Sequence, residues 1–455
     1  MATAKPRSTS TQKPVKRQTK TPAKVPAKNQ TRPVFVVDGA RTPFLKARTG
    51  PGPFRPSDLA VNCGRTLLAR QPFEPTEFDE VILGCIMPGP EEANIGRVVS
   101  LRLKCGDHVP AWTVQRNCAT GMQAIDCAAQ AIQSGRANLI LAGGTEAMSH
   151  APIIWGPEMT RWLGQWMSAR TIGQRVGLLG KLRPGFLKPV IALLLGLTDP
   201  VVGLSMGQTA EVISRRYGIG RDEMDAYAAR SHQRLAAAQS GGRLSEIVPL
   251  ISADGTVHPA DDGVRPDSTP QALAKLKPFF DREFGNVTAG NSSQITDGAA
   301  WLILASEEAV KEHDLPVLGR LVDSNWAGLN PREMGFGPVK ASVPMLKRRR
   351  LSMDKIDYWE INEAFAGQVL ACTKAFADPE YCRSELGLRN AFGEMDEQCL
   401  NIDGGAVALG HPVGSSGARI VLHLLHVLKE RQAKRGVAAI CIGGGQGGAM
   451  LVEQV

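Results

Sequence analysis

The strongest constraint on how this 455-residue chain folds is an internal repeat. One segment starts at Cys118, continues through a helical pattern from Gly121 to Gln133, and reaches the apolar run Leu139–Ala142 closed by Gly143 and Gly144. The other starts at His411, continues through a helical pattern from Ala418 to Leu428, and reaches Ala438–Ile442 closed by Gly443, Gly444 and Gly445. Each copy has a reactive side chain, small residues, a helix, and a strand ending in glycines. The pattern predicts a duplicated α/β half, the alternative being chance likeness between two common strand–helix–strand units. The short β-rich runs Val34–Val37, Val81–Gly84 and Trp301–Leu304 alternate with helices, as layered α/β folds require.

Length and composition set the bounds. At roughly 100–200 residues per domain the chain holds two or three domains, and 43% hydrophobic residues suffice for a large core. The net charge of +9 is not spread evenly. Nine of the 53 Lys and Arg residues lie in residues 1–32, which hold no acid, leaving 44 basic against 44 acidic residues elsewhere. A neutral body with a basic tail is no sequence-specific nucleic-acid reader. The tail lacks large apolar residues, which predicts disorder over 1–32. It has no secretory apolar core, and Pro6, Pro14, Pro22 and Pro26 oppose the amphipathic helix of a transit peptide. Nine dispersed cysteines without a CxxC pair argue against a zinc site or a disulfide framework, and fit a reducing cytoplasm. No apolar run reaches the ~18 residues of a membrane span.

Four fragments carry chemistry. Cys118 stands between a strand at Trp112–Gln115 and a helix, where helix N–H groups lower a thiol pKa and can serve as oxyanion donors; a buried structural cysteine fits the fragment equally well. His411 lies in the glycine-dense loop Gly404–Gly417, where glycines let backbone approach a ligand and a histidine can take a proton. Asn362-Glu363 follows a strand at Tyr358–Ile361 and, taken alone, fits a helix cap better than a catalytic pair. Cys441-Ile-Gly-Gly-Gly-Gln-Gly-Gly448 spells GxGxxG, but Ala449–Val452 and three further residues follow, not the helix and second strand of a dinucleotide site. What remains there is a strand-end cysteine beside an open glycine loop.

Together these fragments resemble the thiolase family. The resemblance extends from Val37-Asp-Gly-Ala-Arg-Thr-Pro-Phe44 through Ala142-Gly-Gly-Thr-Glu-Ala-Met-Ser149, Thr288-Ala-Gly-Asn-Ser-Ser293, Thr296-Asp-Gly-Ala299 and Asn362–Ala366, to Gly410-His411-Pro412 and Cys441-x-Gly-Gly-Gly445. It implies two βαβαβαββ halves in a five-layered α/β/α/β/α arrangement. Residues 33–308 would form the N-terminal half, with an inserted loop domain for coenzyme A at 150–285, and residues 309–455 the C-terminal half. It implies an acetyl-CoA C-acyltransferase that cleaves 3-ketoacyl-CoA in fatty acid β-oxidation. Cys118 would be nucleophile, His411 base, Cys441 acid/base, Asn362 a water-holding oxyanion site, and the Gly443 N–H an oxyanion donor. Ser293, Ile153, Met206 and Phe365 would contact substrate. Coenzyme A enters as substrate, with no other cofactor or metal. Acetoacetyl-CoA synthesis by Claisen condensation is the alternative within the family, a silent lipid carrier or scaffold the alternative of another class. Ketoacyl synthases share the halves and the cysteine but usually carry histidine at the place of Cys441.

Tyr227-Ala-Ala-Arg-Ser-His232, Gly263-Val-Arg-Pro266 and Lys275-Leu-Lys-Pro-Phe279 are similar to the β subunits of fatty-acid-oxidation multienzyme complexes. That branch implies a homodimer or tetramer and a partner α subunit with hydratase and dehydrogenase activities. Asn362, where that branch often has histidine, Ile153, where several short-chain enzymes have one, and Cys118-Ala-Thr-Gly121 depart from the family pattern, which bears on acyl length. Residues 155–205 combine Trp155, Trp162 and Trp166 with six Arg and Lys residues and the apolar run Pro189–Leu197. That composition fits a peripheral membrane contact, a cover over an acyl tunnel, or a partner-docking surface.

Overall fold

The structure, a computed structural model, describes residues 32–455. The expected tail disorder therefore lies outside the described residues; of the basic tail only Arg32 is seen, bonded to Asn138 Oδ1 at 2.8 Å and to Glu308.

Nine strands lie side by side in the order Tyr358–Ile361, Arg435–Ile442, Gln446–Glu453, Gly319–Gly328, Val34–Arg41, Thr296–Ala305, Leu139–Ala147, Glu80–Gly84 and Ala111–Val114. Outward from Val34–Arg41 the pairings are antiparallel, antiparallel, then parallel. Outward from Gly319–Gly328 they are the same. The two sets join where Val34–Val36 pairs antiparallel with Gly319–Leu321. The duplication read from the sequence is therefore a duplication of topology.

Alternation along the strands builds the layers. Ile140, Ala142, Leu302 and Leu304 on one set, and Ala438, Ile440 and Ile442 on the other, face a shared central layer made of helices Thr120–Gln133 and Val413–Glu430. Leu139, Leu141, Trp301 and Ile303 face outward onto helices Pro56–Leu68 and Ile95–Arg102. Val437, Ala439 and Cys441 face helices Gly337–Arg348 and Ala366–Ala377. Helix, sheet, helix pair, sheet, helix gives the five layers. Fully buried Trp301 fits because its Nε1–H donates to Ala60 O at 2.9 Å, so no polar group is stranded.

The two central helices meet at glycines. A Cβ on Gly417 would fall 2.6 Å from Met122 N, and one on Gly121 2.9 Å from Ala418 N. Only residues without side chains allow that approach, and it brings the starts of both helices, hence Cys118 and His411, to the same region. The strand expected at Trp112–Gln115 spans Ala111–Val114. The run Trp301–Leu304 is the visible part of the fully buried ten-residue strand Thr296–Ala305, whose polar first residues hide its start.

Residues 150–285 open with a two-stranded hairpin, Ile153–Trp155 against Pro189–Ile191, enclosing helices Pro157–Ser168 and Ile172–Leu179. Helices Met206–Arg216 and Arg221–Ser240 follow and pack on Ala366–Ala377. No helix among the described residues is long and apolar enough to cross a membrane.

Candidate active site

Cys118 sits on a tight turn between strand and helix. Thr120 Oγ1 donates to Asn117 O at 2.6 Å and accepts from Arg116 N–H at 2.8 Å, clamping the turn. Asn117 is forced to φ +42°, a left-handed conformation that Asn tolerates better than most residues. Its Nδ2 donates to Gly443 O at 2.9 Å, tying the loop of the C-terminal half to the thiol-bearing turn of the N-terminal half. An Asn beside a turn-borne cysteine is the one signal in the sequence for this role of Asn117.

Cys118 is half-buried and lines a cavity of about 450 Å³ together with Asn117, Met206, Val413, Gly443 and Gly444. Burial pushes its thiol above the ordinary value, while the N–H groups of Gly443 and of Cys118 itself pull it down. The expected net lowering is thus corrected: two N–H groups do not outweigh loss of water around the sulfur. Cys441 is buried at the end of its strand and its thiol is raised well above the ordinary range, first by burial and then by the neighbouring Cys118 and Cys372 thiols.

His411 stands two residues before Val413 of the cavity wall. Its Nδ1 lies 2.6 Å from Ser416 Oγ, which is also 3.1 Å from Pro412 O. Its Nε2 has no partner among the described residues. Burial, reinforced by the Arg419 guanidinium, lowers the imidazole to about 3, so it is neutral at physiological pH. Ser416, five residues beyond His411, carries no mark in the sequence beyond its place in the glycine-dense loop.

Asn362 is fully buried and leaves the strand with its N–H bonded to Ala439 O at 2.9 Å; among the described residues neither side-chain amide atom has a partner. The capping reading of Asn362-Glu363 is corrected. The next helix has Phe365 at its N-cap and no side-chain cap. Glu363 instead accepts from Tyr227 Oη at 2.8 Å, Ser231 Oγ at 2.7 Å, Asn401 Nδ2 at 3.0 Å and Val407 N–H at 3.1 Å. Four donors satisfy the buried carboxylate and fix the strand end that presents Asn362.

The remaining expected contacts divide. Met206 lines the cavity. Ser293 and Phe365 lie beside the Asn362 strand end, Ser293 N–H on Ala364 O at 2.9 Å and the Phe365 ring edge-on to Phe280, but neither is on the cavity wall. Ile153 is 69% exposed on the surface hairpin and also off that wall. The apolar run after the hairpin faces two ways: Leu193 and Leu197 line the cavity, while Leu194 and Leu195 point outward. Among the described residues no cluster of three or more His, Cys, Asp or Glu could hold a metal ion.

The chain is similar to known proteins over nearly all of its described length. Residues 34–308 match the family description "Thiolase, N-terminal domain" and residues 315–454 "Thiolase, C-terminal domain". The beta-ketoadipyl-CoA thiolase of Pseudomonas knackmussii is 39% identical over 432 residues, covering 93% of this chain and 100% of the relative. The 3-ketoacyl-CoA thiolase of Cronobacter sakazakii is 38% identical over 430 residues, covering 93% and 99%. The crystal structure of human mitochondrial 3-ketoacyl-CoA thiolase in complex with CoA superposes with a TM-score of 0.80 at 36% identity, covering 93% of this chain and 98% of that one. Two matched family domains that span nearly all the described residues, on a duplicated five-layer scaffold with a cysteine and a histidine at equivalent helix starts, mean that the chain belongs to the thiolase family of acyltransferases.

Proposed function

We propose that this chain catalyses coenzyme A-dependent thiolytic cleavage of 3-ketoacyl-CoA, with Cys118 carrying the acyl group. The observation that carries the reading is geometric: the Cys118 thiol lies on a cavity wall beside Gly443, the helix starts that follow Cys118 and His411 meet at Gly121 and Gly414, and the Cys441 thiol neighbours that of Cys118. If Ser416 gives its single proton to the Pro412 carbonyl, which can only accept, it must receive Nδ1–H of His411, and Nε2 is left as a free base. His411 Nε2 takes the Cys118 proton and the thiolate attacks the 3-keto carbon. The N–H groups of Cys118 and Gly443 receive the oxyanion. Collapse breaks the bond between C2 and C3 and releases the acetyl-CoA enolate, to which His411 and the unpartnered Asn362 amide, through a water, offer hydrogen bonds. Cys441, protonated at rest, supplies the proton to C2. The Cys441 thiolate then takes the proton of a second coenzyme A thiol, which attacks the Cys118 thioester, and the departing Cys118 thiolate recovers its proton from His411, so the enzyme returns to its starting state. Run backwards, the same groups make acetoacetyl-CoA.

Intact-mass measurement after mixing with 3-ketohexanoyl-CoA, without free coenzyme A, tests this. The wild type and Cys441→Ala should gain a butyryl group and Cys118→Ala should not. Cys441→Ala should also lose exchange of the acetyl-CoA methyl protons by about 10²–10⁴-fold. Acylation of Cys118→Ala at the wild-type rate would overturn the assignment. The relatives named beta-ketoadipyl-CoA thiolase bring in a second substrate class, a 3-ketoacyl chain ending in a carboxylate, which the chemistry of the cavity wall addresses.

A further inference from the structure

Resting on that reading, we propose that the cavity beside Cys118 selects acyl chains ending in a methyl group and rejects those ending in a carboxylate, with Asp199 as the specificity-determining residue. The wall is largely apolar, with Ile86, Met87, Met148, Leu193, Leu197 and Val413 around it. Among the described residues no Lys, Arg or His lines it. Among the described residues of the wall the one acidic side chain is Asp199, only 2% exposed.

The Asp199 side chain is held in place. Its Oδ1 accepts from Val201 N–H at 2.8 Å and Val202 N–H at 3.0 Å. Its backbone closes the same turn, N–H on Leu204 O at 2.8 Å and O accepting from Gly203 N–H at 2.9 Å. Its Oδ2 has no partner among the described residues. A carboxylate entering with the acyl chain would give up water, find no cation, and meet a fixed charge of its own sign where the dielectric is low. An alkyl chain gains instead, roughly fourfold per methylene buried.

The test compares 3-ketohexanoyl-CoA with 3-ketoadipyl-CoA, two six-carbon acyl groups that differ at the far end. Wild-type kcat/KM should favour the methyl-ended substrate by on the order of a hundredfold. Asp199→Asn keeps the Oδ1 acceptor and removes the charge, so the ratio should narrow about tenfold. Val201 is 83% exposed at the cavity rim, where substitution does not threaten folding. Val201→Lys puts a cation there and should improve the carboxylate-ended substrate about tenfold. A wild-type ratio near one, a preference for 3-ketoadipyl-CoA, or a ratio unchanged in both variants overturns the proposal. Binding of hexanoyl-CoA against adipyl-CoA separates it from the thiolysis reading. If neither 3-ketoacyl-CoA is cleaved, tighter hexanoyl-CoA binding still supports the selectivity while thiolysis falls, and equal binding ends the selectivity as well.

Discussion

The equivalent strands of the two halves both carry paired glycines, but at different places, and the glycines serve opposite purposes. Gly143 and Gly144 lie inside Leu139–Ala147, which runs on past the end expected at Ala142, whereas Gly443 and Gly444 follow the end of Arg435–Ile442. In the N-terminal half, a Cβ on Gly143 would fall 2.1 Å from Ala300 O and one on Gly144 2.0 Å from Gly414 O. In the C-terminal half, a Cβ on Gly443 would meet only Met206 Sδ at 3.2 Å and the Asn117 amide at 3.8 Å, and one on Gly444 nothing within 4 Å. Gly143 makes room for the neighbouring strand Thr296–Ala305, and Gly144 lets the central helix Val413–Glu430 lie against its strand. The second pair leaves backbone facing the cavity beside Cys118. A duplicated scaffold has thus kept the glycines and divided their work, packing on one side and presenting the site on the other.

Alanine separates the two roles. Gly144→Ala drives a Cβ into backbone that cannot rotate away, and should cost about 3 kcal/mol or prevent folding. Gly443→Ala meets a flexible thioether, and should change stability by less than about 1 kcal/mol while altering substrate binding. Urea unfolding of both variants, with KM for the second, checks this. Equal destabilisation would mean that the glycines of the two halves do the same work.

A smaller contrast concerns protons. In the C-terminal half, His411 is lowered from 6.5 to about 3. The unfolded chain takes a proton below pH 6.5 where the folded one does not, so its contribution to stability is fully present above 6.5 and declines as pH falls toward 3. The thiols Cys118 and Cys441 are raised above 9.0, so theirs is present below 9 and declines as pH rises beyond it. Between pH 6.5 and pH 5, His411→Asn should lose about 2 kcal/mol less stability than the wild type. Parallel losses in the two proteins would show that His411 is protonated in the fold.

The sequence made legible what repeats or alternates: the duplication, the strand–helix order, and the cysteine and histidine at helix starts. It hid what depends on distant partners. Arg41 ends a strand fully buried, which its charge argues against, because Asp261 holds it bidentately at 2.7 and 2.9 Å. Glu363 looks like a local cap and is satisfied by residues up to 136 positions away. The sign of the Cys118 shift depends on how much water reaches the sulfur, which spacing along the chain does not encode. Resemblance to the family also suggested Ile153 as a substrate contact, where the hairpin turns it outward.

Ile153 gives the smallest expected effect and the sharpest local comparison. It pairs with Ile191 in the surface hairpin, and Leu193, two residues beyond that partner, lines the cavity. An exposed side chain on a two-stranded hairpin buries little on folding, so Ile153→Ala should leave stability within about 0.5 kcal/mol and kcat/KM within about twofold. Leu193→Ala removes wall instead of surface. It should shift preference toward longer acyl chains by several-fold, because the added space is filled by about one more methylene at roughly 0.8 kcal/mol each. Comparing kcat/KM across 3-ketoacyl-CoA substrates of increasing length for the two variants settles which side of the hairpin faces substrate. A chain-length shift in Ile153→Ala with none in Leu193→Ala would mean that the hairpin folds over onto the cavity when substrate binds.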